Sequence, residues 1–284
     1  DSLPNATYVG FTGTPVDGTI EVFGGVVDAY TMTEAVRDGI TVNLVYDGRA
    51  ARVTINQDKV REIEKYYDFC VREEANEYQV EESKKSVANM EIIIGDPDRL
   101  RAVAEDFINH YETRVAEGAT VAGKTLFVCS NRYIAYDFYK IITELRPEWT
   151  EKKICDEGVV LSEKDKKELK PIEKIKMVMT RNKDDEKELF DMLGTKDDRK
   201  EFDRQFKNPK SNFKIAIVVD MWLTGFDVPE LDTIYIDKPI QQHTLIQTIS
   251  RVNRVCEGKD KGLIVDYIGI KKNMNMALKK YTNF

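Results

Sequence analysis

The residues of this chain best suited to chemistry lie between Lys214 and Arg254. If the range 247–254 is helical, Gln247, Arg251 and Arg254 lie at positions i, i+4 and i+7, on one face of the helix. Two guanidinium groups and an amide on one face suit a phosphate ligand, because a guanidinium can donate two parallel hydrogen bonds to an anion. A solvated helix face is the alternative interpretation of the same spacing.

A polar turn follows the first of two apolar runs in this stretch. The runs 215–219 and 233–236 each have the length and composition of a buried strand. Thr224, Gly225 and Asp227 lie in the turn after the first run. Parallel α/β sheets bind their ligands at the carboxyl ends of the strands, so this turn is a predicted part of a binding site.

A second polar turn, Ser130-Asn131-Arg132, follows a strand predicted over 125–129 and precedes a helix predicted over 133–145. Hydroxyl, amide and guanidinium groups are the side chains that commonly contact nucleic-acid phosphates. The turn therefore suits contacts with a nucleic-acid backbone. Plain capping of the helix by Ser130 or Asn131 is an equally open interpretation.

The range 118–125 matches the phosphate-loop pattern G-x-x-x-x-G-K-[ST], with Lys124 as its lysine. Such a loop must follow a strand and begin a helix, so that backbone N–H groups converge on the phosphate. Here a helical pattern precedes the match and the predicted strand 125–129 follows it. An independent P-loop NTPase based on Lys124 is therefore the disfavoured alternative.

The bulk composition narrows the function further. With 284 residues and a net charge of −7, the chain has to contact nucleic acid through a local patch rather than its whole surface. No apolar run approaches the ~20 residues that a membrane span needs, which predicts no membrane partner. Two histidines and four dispersed cysteines predict no metal site and the reduced thiols of a cytoplasmic protein.

Strands and helices alternate from about residue 121 onward, as is typical of an α/β domain with a mostly parallel sheet flanked by helices. The predicted strands cover 125–129, 153–155, 215–219, 233–237 and 263–267. Before them, Asp47-Gly48 among β-forming residues of the range 41–55 predicts a β-hairpin. Long helices are predicted over 57–83 and 97–118, and the charged range 162–211 predicts a helical insertion.

Together these motifs resemble those of the restriction (R) subunit of type I restriction–modification enzymes, which is a superfamily 2 DNA translocase. The motifs that carry the resemblance are Gly10 to Pro15 (helicase motif III), Leu126 to Tyr139 (motif IV), Ile217 to Pro229 (motif V), Gln247 to Arg254 (motif VI), and the family-like segments Phe23-Gly24-Gly25, Asp237-Lys238-Pro239 and Asp266-Tyr267-Ile268-Gly269. The fold that the resemblance implies is RecA-like, of the P-loop NTPase type.

The resemblance also implies a division of the chain. Residues 1–20 would form the tail of a first RecA-like domain and a linker, and residues 21–120 a region of hairpin and helices. Residues 121–270 would form the second RecA-like domain, with 162–211 as its insertion. Residues 271–284 would begin a further helical region.

In superfamily 2 motors, ATP with Mg²⁺ lies between two RecA-like domains and is held mainly by the first. The resemblance implies that Arg254 and Arg251 are catalytic arginines that reach the γ-phosphate, with Gly225, Asp227 and Gln247 also at the nucleotide. Two further groups are implied, with Ser130, Asn131, Arg132 and Thr224 contacting DNA and Thr12, Gly13 and Thr14 coupling the two motor domains.

The implied partners are double-stranded DNA and the methylation and specificity subunits of the complex. The full-length subunit would be an ATP-dependent type I site-specific deoxyribonuclease. This sequence shows no usable P-loop, Asp-Glu motif or nuclease core, so we expect the chain alone to hydrolyse ATP negligibly and to leave DNA uncut. A catalytically silent α/β assembly module is the remaining alternative.

Overall fold

The structure, a computed structural model, describes residues 7–11, 22–53, 88–240, 242–271 and 274–275. In this part of the chain, six strands form one sheet in which all neighbours are parallel. The strands are β1 (Asn43–Gly48), β2 (Thr125–Cys129), β3 (Ile175–Val178), β4 (Ile215–Val218), β5 (Thr233–Asp237) and β6 (Lys261–Asp266). Their order across the sheet is β1-β6-β5-β2-β4-β3, so the predicted α/β class with a parallel sheet is confirmed.

Helices connect most of the strands. They are α1 (Met32–Arg37), α2 (Ala50–Val53), α3 (Pro97–Ala116), α4 (Arg132–Leu145), α5 (Glu163–Glu168), α6 (Lys187–Leu193), α7 (Lys196–Lys207) and α8 (Gln242–Ile249). A 3₁₀ turn covers Pro147–Thr150, and a further helical stretch covers residues 88–94. The predicted helices 97–118 and 133–145 are confirmed, whereas most of the predicted helix 57–83 lies outside the described residues.

The core forms where α3 and α4 pack on the sheet. Phe107 of α3 meets Phe127 and Tyr235 edge-on, with ring centroids 5.2 and 4.7 Å away. Phe138 of α4 stacks on Phe127 at 4.0 Å. Because α3 contributes to this core and β1 to the sheet, the domain draws on chain segments before residue 121.

The predicted β-hairpin around Asp47-Gly48 is wrong. β1 runs straight through these two residues and pairs in parallel with β6, with Asp47 opposite Val265 and Gly48 opposite Asp266. The chain then turns at Arg49, whose guanidinium donates to Asp47 at 2.7 Å, and continues into α2. The Asp-Gly pair does not form a turn here, because the extended backbone of β1 pairs with the distant strand β6. A hairpin turn at these residues would have broken that pairing.

The range 162–211 is not a purely helical insertion, because it contains β3. Three of the four β3 residues are fully buried, and the strand pairs with β4 so that Ile175 lies opposite Ile215. The apolar run is short and flanked by charges, so its sequence signal was weak. The predicted strand 153–155 is also wrong, since Lys153 forms only an isolated bridge with Ile172.

Candidate functional site

The segment that carries Gln247, Arg251 and Arg254 is helical only in its first part, because α8 ends at Ile249. The predicted helical face of these three residues is therefore wrong. Two hydroxyl groups near the end bond back to the preceding turn, Thr248 to the Thr244 carbonyl and Ser250 to the Ile246 carbonyl, both at 2.7 Å. Residues 250–254 form a turn, which we call the arginine turn.

The arginine turn lies against the polar turn that follows β4. The Arg251 guanidinium donates to the Phe226 carbonyl at 2.5 Å and, from its Nε, to the Gln247 carbonyl at 3.0 Å. Burial and the neighbouring charge of Arg254 lower the pKa of Arg251 from its ordinary value. A single guanidinium thus joins the end of α8 to the turn after β4.

Arg254 reaches the same turn through a side-chain contact. Its Nε lies 3.3 Å from an Asp227 carboxylate oxygen, and the two side chains are 49% and 61% exposed. An exposed pair of this kind contributes about 0–1 kcal/mol, so the guanidinium can exchange Asp227 for another anion at little cost. Gly225, next to this pair, is exposed, and its φ of +68° is a conformation that favours glycine.

The backbone of the arginine turn is held by the two residues before β1 and by β6. The Val42 N–H donates to the Asn253 carbonyl at 2.8 Å, and Thr41 forms an antiparallel bridge with Arg254. On β6, a Cβ atom at Gly262 would overlap the carbonyl oxygen of Val252. The close approach of the backbones at Gly262 and Val252 therefore fixes the position of the backbone from which the side chains of Arg251 and Arg254 extend.

A stacked aromatic pair, Trp222 and Phe226, packs within the turn after β4. Trp222 is buried at a φ of +68°, which is uncommon for a bulky side chain, and its ring lies parallel to that of Phe226 at 4.2 Å. Phe206 of α7 packs against Trp222 at 5.2 Å. A backbone of this kind costs about 1–3 kcal/mol and persists where packing over-determines it. Sequence reasoning missed this support, although two aromatic residues four apart around a Gly turn were a visible signal.

At the turn after β2, Ser130 and Asn131 are engaged within the chain. The Ser130 hydroxyl donates to the Asp237 carbonyl at 3.0 Å. The Asn131 side-chain oxygen accepts from the N–H groups of Tyr133 and Ile134, both at 3.0 Å, and so caps α4. Asn131 therefore acts as the helix cap, which is the second of the two interpretations of this turn.

Arg132 and Thr224, the other two residues assigned to DNA, differ in exposure. The Arg132 guanidinium donates to the buried Asp185 carboxylate at 2.6 Å and to the Thr180 carbonyl at 3.1 Å. Thr224 is exposed on the turn after β4. Thr12, Gly13 and Thr14 lie outside the described residues.

Lys124 has none of the geometry of a phosphate-loop lysine. The range 118–124 follows α3 and leads into β2, and Lys124 is 1% exposed. Its ammonium donates to the Phe213 carbonyl at 2.6 Å and lies over the Phe206 ring. Burial lowers the pKa of Lys124 well below its ordinary value. The P-loop alternative is therefore wrong.

The residues brought together at the arginine turn fit a phosphate group. The guanidinium groups of Arg251 and Arg254 contact Phe226 and Asp227, the two residues after Gly225. A Cβ atom at Gly225 would meet no described atom within 4 Å, which leaves room for an anion to approach the backbone. Among the described residues, no group of three or more His, Cys, Asp or Glu could hold a metal ion. No helix in the same residues is long and apolar enough to cross a membrane.

Two family models match the sequence. The model described as type I restriction enzyme subunit R domain 3 matches residues 121–269, which is more than half of the chain. The model described as SWI2/SNF2 ATPase matches residues 1–81.

Similar proteins are found among curated sequences and solved structures. The type I restriction enzyme HindI endonuclease subunit of Haemophilus influenzae is 38% identical over 290 residues, covering 100% of this chain and 25% of that protein. The MjaIXP endonuclease subunit of Methanocaldococcus jannaschii, also assigned to a type I restriction enzyme, is 36% identical over 288 residues, covering 99% and 25%. The chain thus spans about a quarter of the length of either relative.

A solved fragment assigned to the HsdR subunit of a type I restriction enzyme from Vibrio vulnificus has a similar fold. It matches with a TM-score of 0.55 and 14% sequence identity, covering 95% of this chain and 41% of the fragment. At this identity the likeness concerns the fold alone.

Proposed function

The chain belongs to the family of type I restriction enzyme R subunits, and we propose that it supplies the second RecA-like motor domain of an ATP-driven translocase of double-stranded DNA. The observation that carries the proposal is the contact between the arginine turn and the turn after β4. Arg251 and Arg254 reach Phe226 and Asp227 there, so two cations converge on one exposed Gly-Asp turn.

In the proposed mechanism, Arg254 is the catalytic arginine that reaches the γ-phosphate of ATP, and Arg251 assists it. Charge develops on the phosphoryl group during transfer, and an arginine that stabilises this charge typically contributes ~10³–10⁵ in rate, or roughly 4–7 kcal/mol. Gly225 and Asp227 lie at the nucleotide, and Gln247 positions the phosphate or an arginine.

Mg²⁺ would enter with ATP and neutralise phosphate charge, and we assign its ligands to the first motor domain rather than to this chain. Asp227 is a carboxylate that Arg254 contacts, and in this proposal it holds the guanidinium until nucleotide replaces it. Such an exchange needs only side-chain rotation, because both side chains are exposed.

For DNA, we propose contacts to one strand's phosphates from Thr224 and from the turn Ser130-Asn131-Arg132. Thr224 is the first candidate because it is exposed, whereas Arg132 would have to leave Asp185 to contact DNA. Phosphate contacts carry no sequence information, which suits a motor that moves along any sequence. Thr12, Gly13 and Thr14 are proposed to couple the two motor domains.

The full-length subunit is proposed to be an ATP-dependent type I site-specific deoxyribonuclease that works with methylation and specificity subunits. The test is Arg254→Ala in a full-length R subunit carrying this sequence, assayed for DNA-stimulated ATP hydrolysis. We expect turnover to collapse while the melting temperature stays within a few degrees. Arg101→Ala, which removes an exposed arginine of α3, is the matched control and should leave turnover unchanged.

Near-wild-type turnover of Arg254→Ala would remove Arg254 from this role. If Arg251→Ala also left DNA-stimulated turnover near the wild-type value, the chain would be better described as an assembly module without catalytic residues.

A further inference from the structure

Lys259 is a buried lysine in the loop before β6, and neither the motifs nor the proposed mechanism gives it a role. Only 7% of the residue is exposed. Its ammonium donates to the carbonyl oxygens of Leu231 at 2.7 Å and Pro229 at 3.0 Å. A buried ammonium is unfavourable unless such hydrogen bonds replace water, so these two bonds define where the side chain can lie.

The position of Lys259 connects the two halves of the candidate nucleotide site. Its acceptors, Pro229 and Leu231, continue the turn that contains Phe226 and Asp227, while Lys259 itself follows the arginine turn. Three cations from one segment therefore hold successive parts of one loop. Arg251 holds the Phe226 carbonyl, Arg254 holds the Asp227 carboxylate, and Lys259 holds the carbonyls beyond them.

Of these three cations, Lys259 is the one best placed to act on the framework rather than on a ligand. Arg254 is half-exposed, whereas the Lys259 ammonium lies among backbone carbonyls. The titratable and charged groups that face it are Asp232, Cys256, Glu230 and Arg254. Burial, opposed by the nearby Asp232, lowers the pKa of Lys259 to about 8.

We propose that Lys259 is a positioning residue for ATP hydrolysis, which fixes the segment 229–231 against the arginine turn and so sets where Arg254 stands relative to the turn after β4. The inference rests on the proposed function. Among the side-chain hydrogen bonds and ion pairs of the described residues, those of Arg251 and Arg254 also join the loop to the arginine turn. The second of these is an exposed pair and is weak.

The test compares three variants in a full-length R subunit carrying this sequence. Lys259→Met removes the donor but keeps the length of the side chain, and Lys259→Arg keeps a charged donor. Lys124→Met is the matched control, because it removes another buried ammonium, one that donates to the Phe213 carbonyl rather than to the segment 229–231. The measurements are DNA-stimulated kcat, binding of a fluorescent non-hydrolysable ATP analogue, and melting temperature.

We expect Lys259→Met to lower kcat about tenfold, which corresponds to about 1.4 kcal/mol, while the affinity for the analogue changes less than about threefold. The loss falls on kcat because a misplaced arginine weakens interactions with the transition state more than with bound nucleotide. Lys259→Arg should recover most of the loss, and Lys124→Met should keep kcat within about twofold of wild type.

The pH profile separates positioning from general support of the fold. As pH rises through about 8, Lys259 loses its positive charge, and its two hydrogen bonds to the carbonyls lose their charge assistance, so wild-type kcat should fall. The folded-state pKa lies below that of an exposed lysine, so this deprotonation does not lower folding stability. The fall should be absent in Lys259→Arg, whose guanidinium keeps its charge in this range.

Unchanged kcat in Lys259→Met, or an equal loss in Lys124→Met, would overturn the inference while leaving the proposed function intact. If Lys259→Met fails to fold, the pH profile of Lys259→Arg decides, and a profile identical to wild type overturns the inference. Absence of ATP hydrolysis in the wild-type subunit would overturn the proposed function and this inference together.

Discussion

Arg99 and Asp237 form a buried, two-pronged ion pair at the carboxyl end of β5. Their nitrogen and oxygen atoms are 2.5 and 3.1 Å apart, and the side chains are 3% and 1% exposed. The same guanidinium donates to the carbonyls of Ile94 and Tyr267, both at 3.1 Å. One arginine of α3 thereby joins the stretch 88–94, β5 and the residue after β6 at the carboxyl edge of the sheet.

Removing one member of this pair should be strongly destabilising. Arg99→Met leaves the Asp237 carboxylate buried without its partner, and we expect a loss of about 3–5 kcal/mol in the free energy of unfolding. Urea unfolding of the purified chain measures it. The double variant Arg99→Met with Asp237→Leu should recover most of the loss, because an apolar pair leaves no unpaired charge. Equal stability of the single and double variants would contradict this account.

Gly262 should not accept a side chain, because a Cβ atom there would overlap the Val252 carbonyl. We expect Gly262→Ala to lower stability by about 1–3 kcal/mol, as overpacking does, and to lower DNA-stimulated ATP hydrolysis in a full-length subunit by displacing the arginine turn. Gly25→Ala is the control, because a Cβ atom at Gly25 would meet no atom of the described residues within 4 Å. Wild-type turnover in Gly262→Ala would show that the arginine turn tolerates displacement.

His110 should make stability depend on pH in the acid range. Burial, together with the charges of Arg49 and Arg114, lowers the pKa of His110 to about 4. The unfolded chain therefore binds a proton at this side chain between pH 6.5 and 4 that the folded chain does not. Stability from this group is present above pH 6.5 and is lost as pH falls towards 4, by up to ~3 kcal/mol.

His110→Gln should flatten that part of the stability profile, measured by urea unfolding at pH 7 and pH 5. Gln can still hydrogen-bond the Tyr235 hydroxyl, which His110 contacts at 2.9 Å through Nδ1, so the comparison isolates the charge. An unchanged difference between the two pH values would assign the acid sensitivity to other groups.

The purified 284-residue chain should hydrolyse ATP negligibly, with or without DNA. Its match to a phosphate loop at 118–125 holds Lys124 in the core, where the ammonium cannot meet a phosphate. A phosphate-release assay, run beside a full-length R subunit, measures the difference. Robust DNA-stimulated turnover by the chain, abolished in Lys124→Ala, would contradict both the buried position and the assignment of the phosphate loop to another domain.

The sequence by itself determined the elements whose signal is local. β2, β4, β5 and β6 each contain a short apolar run, as is typical of buried parallel strands. The sequences of α3 and α4 follow a helical apolar period. Residue types around Gly225, Asp227, Arg251 and Arg254 were sufficient to nominate a phosphate site. Strand–helix order was also sufficient to disfavour Lys124 as a phosphate-loop lysine.

Tertiary structure decided what depends on distant partners. β1 passes through Asp47-Gly48 because β6, more than 200 residues later, satisfies its backbone, and β3 forms because β4 pairs with it. α8 ends at Ile249, and the arginine turn then follows Val42 and Gly262 rather than a helical face. Backbone hydrogen bonds and close packing between remote segments fix these features, and no local pattern of residues encodes which segments will meet.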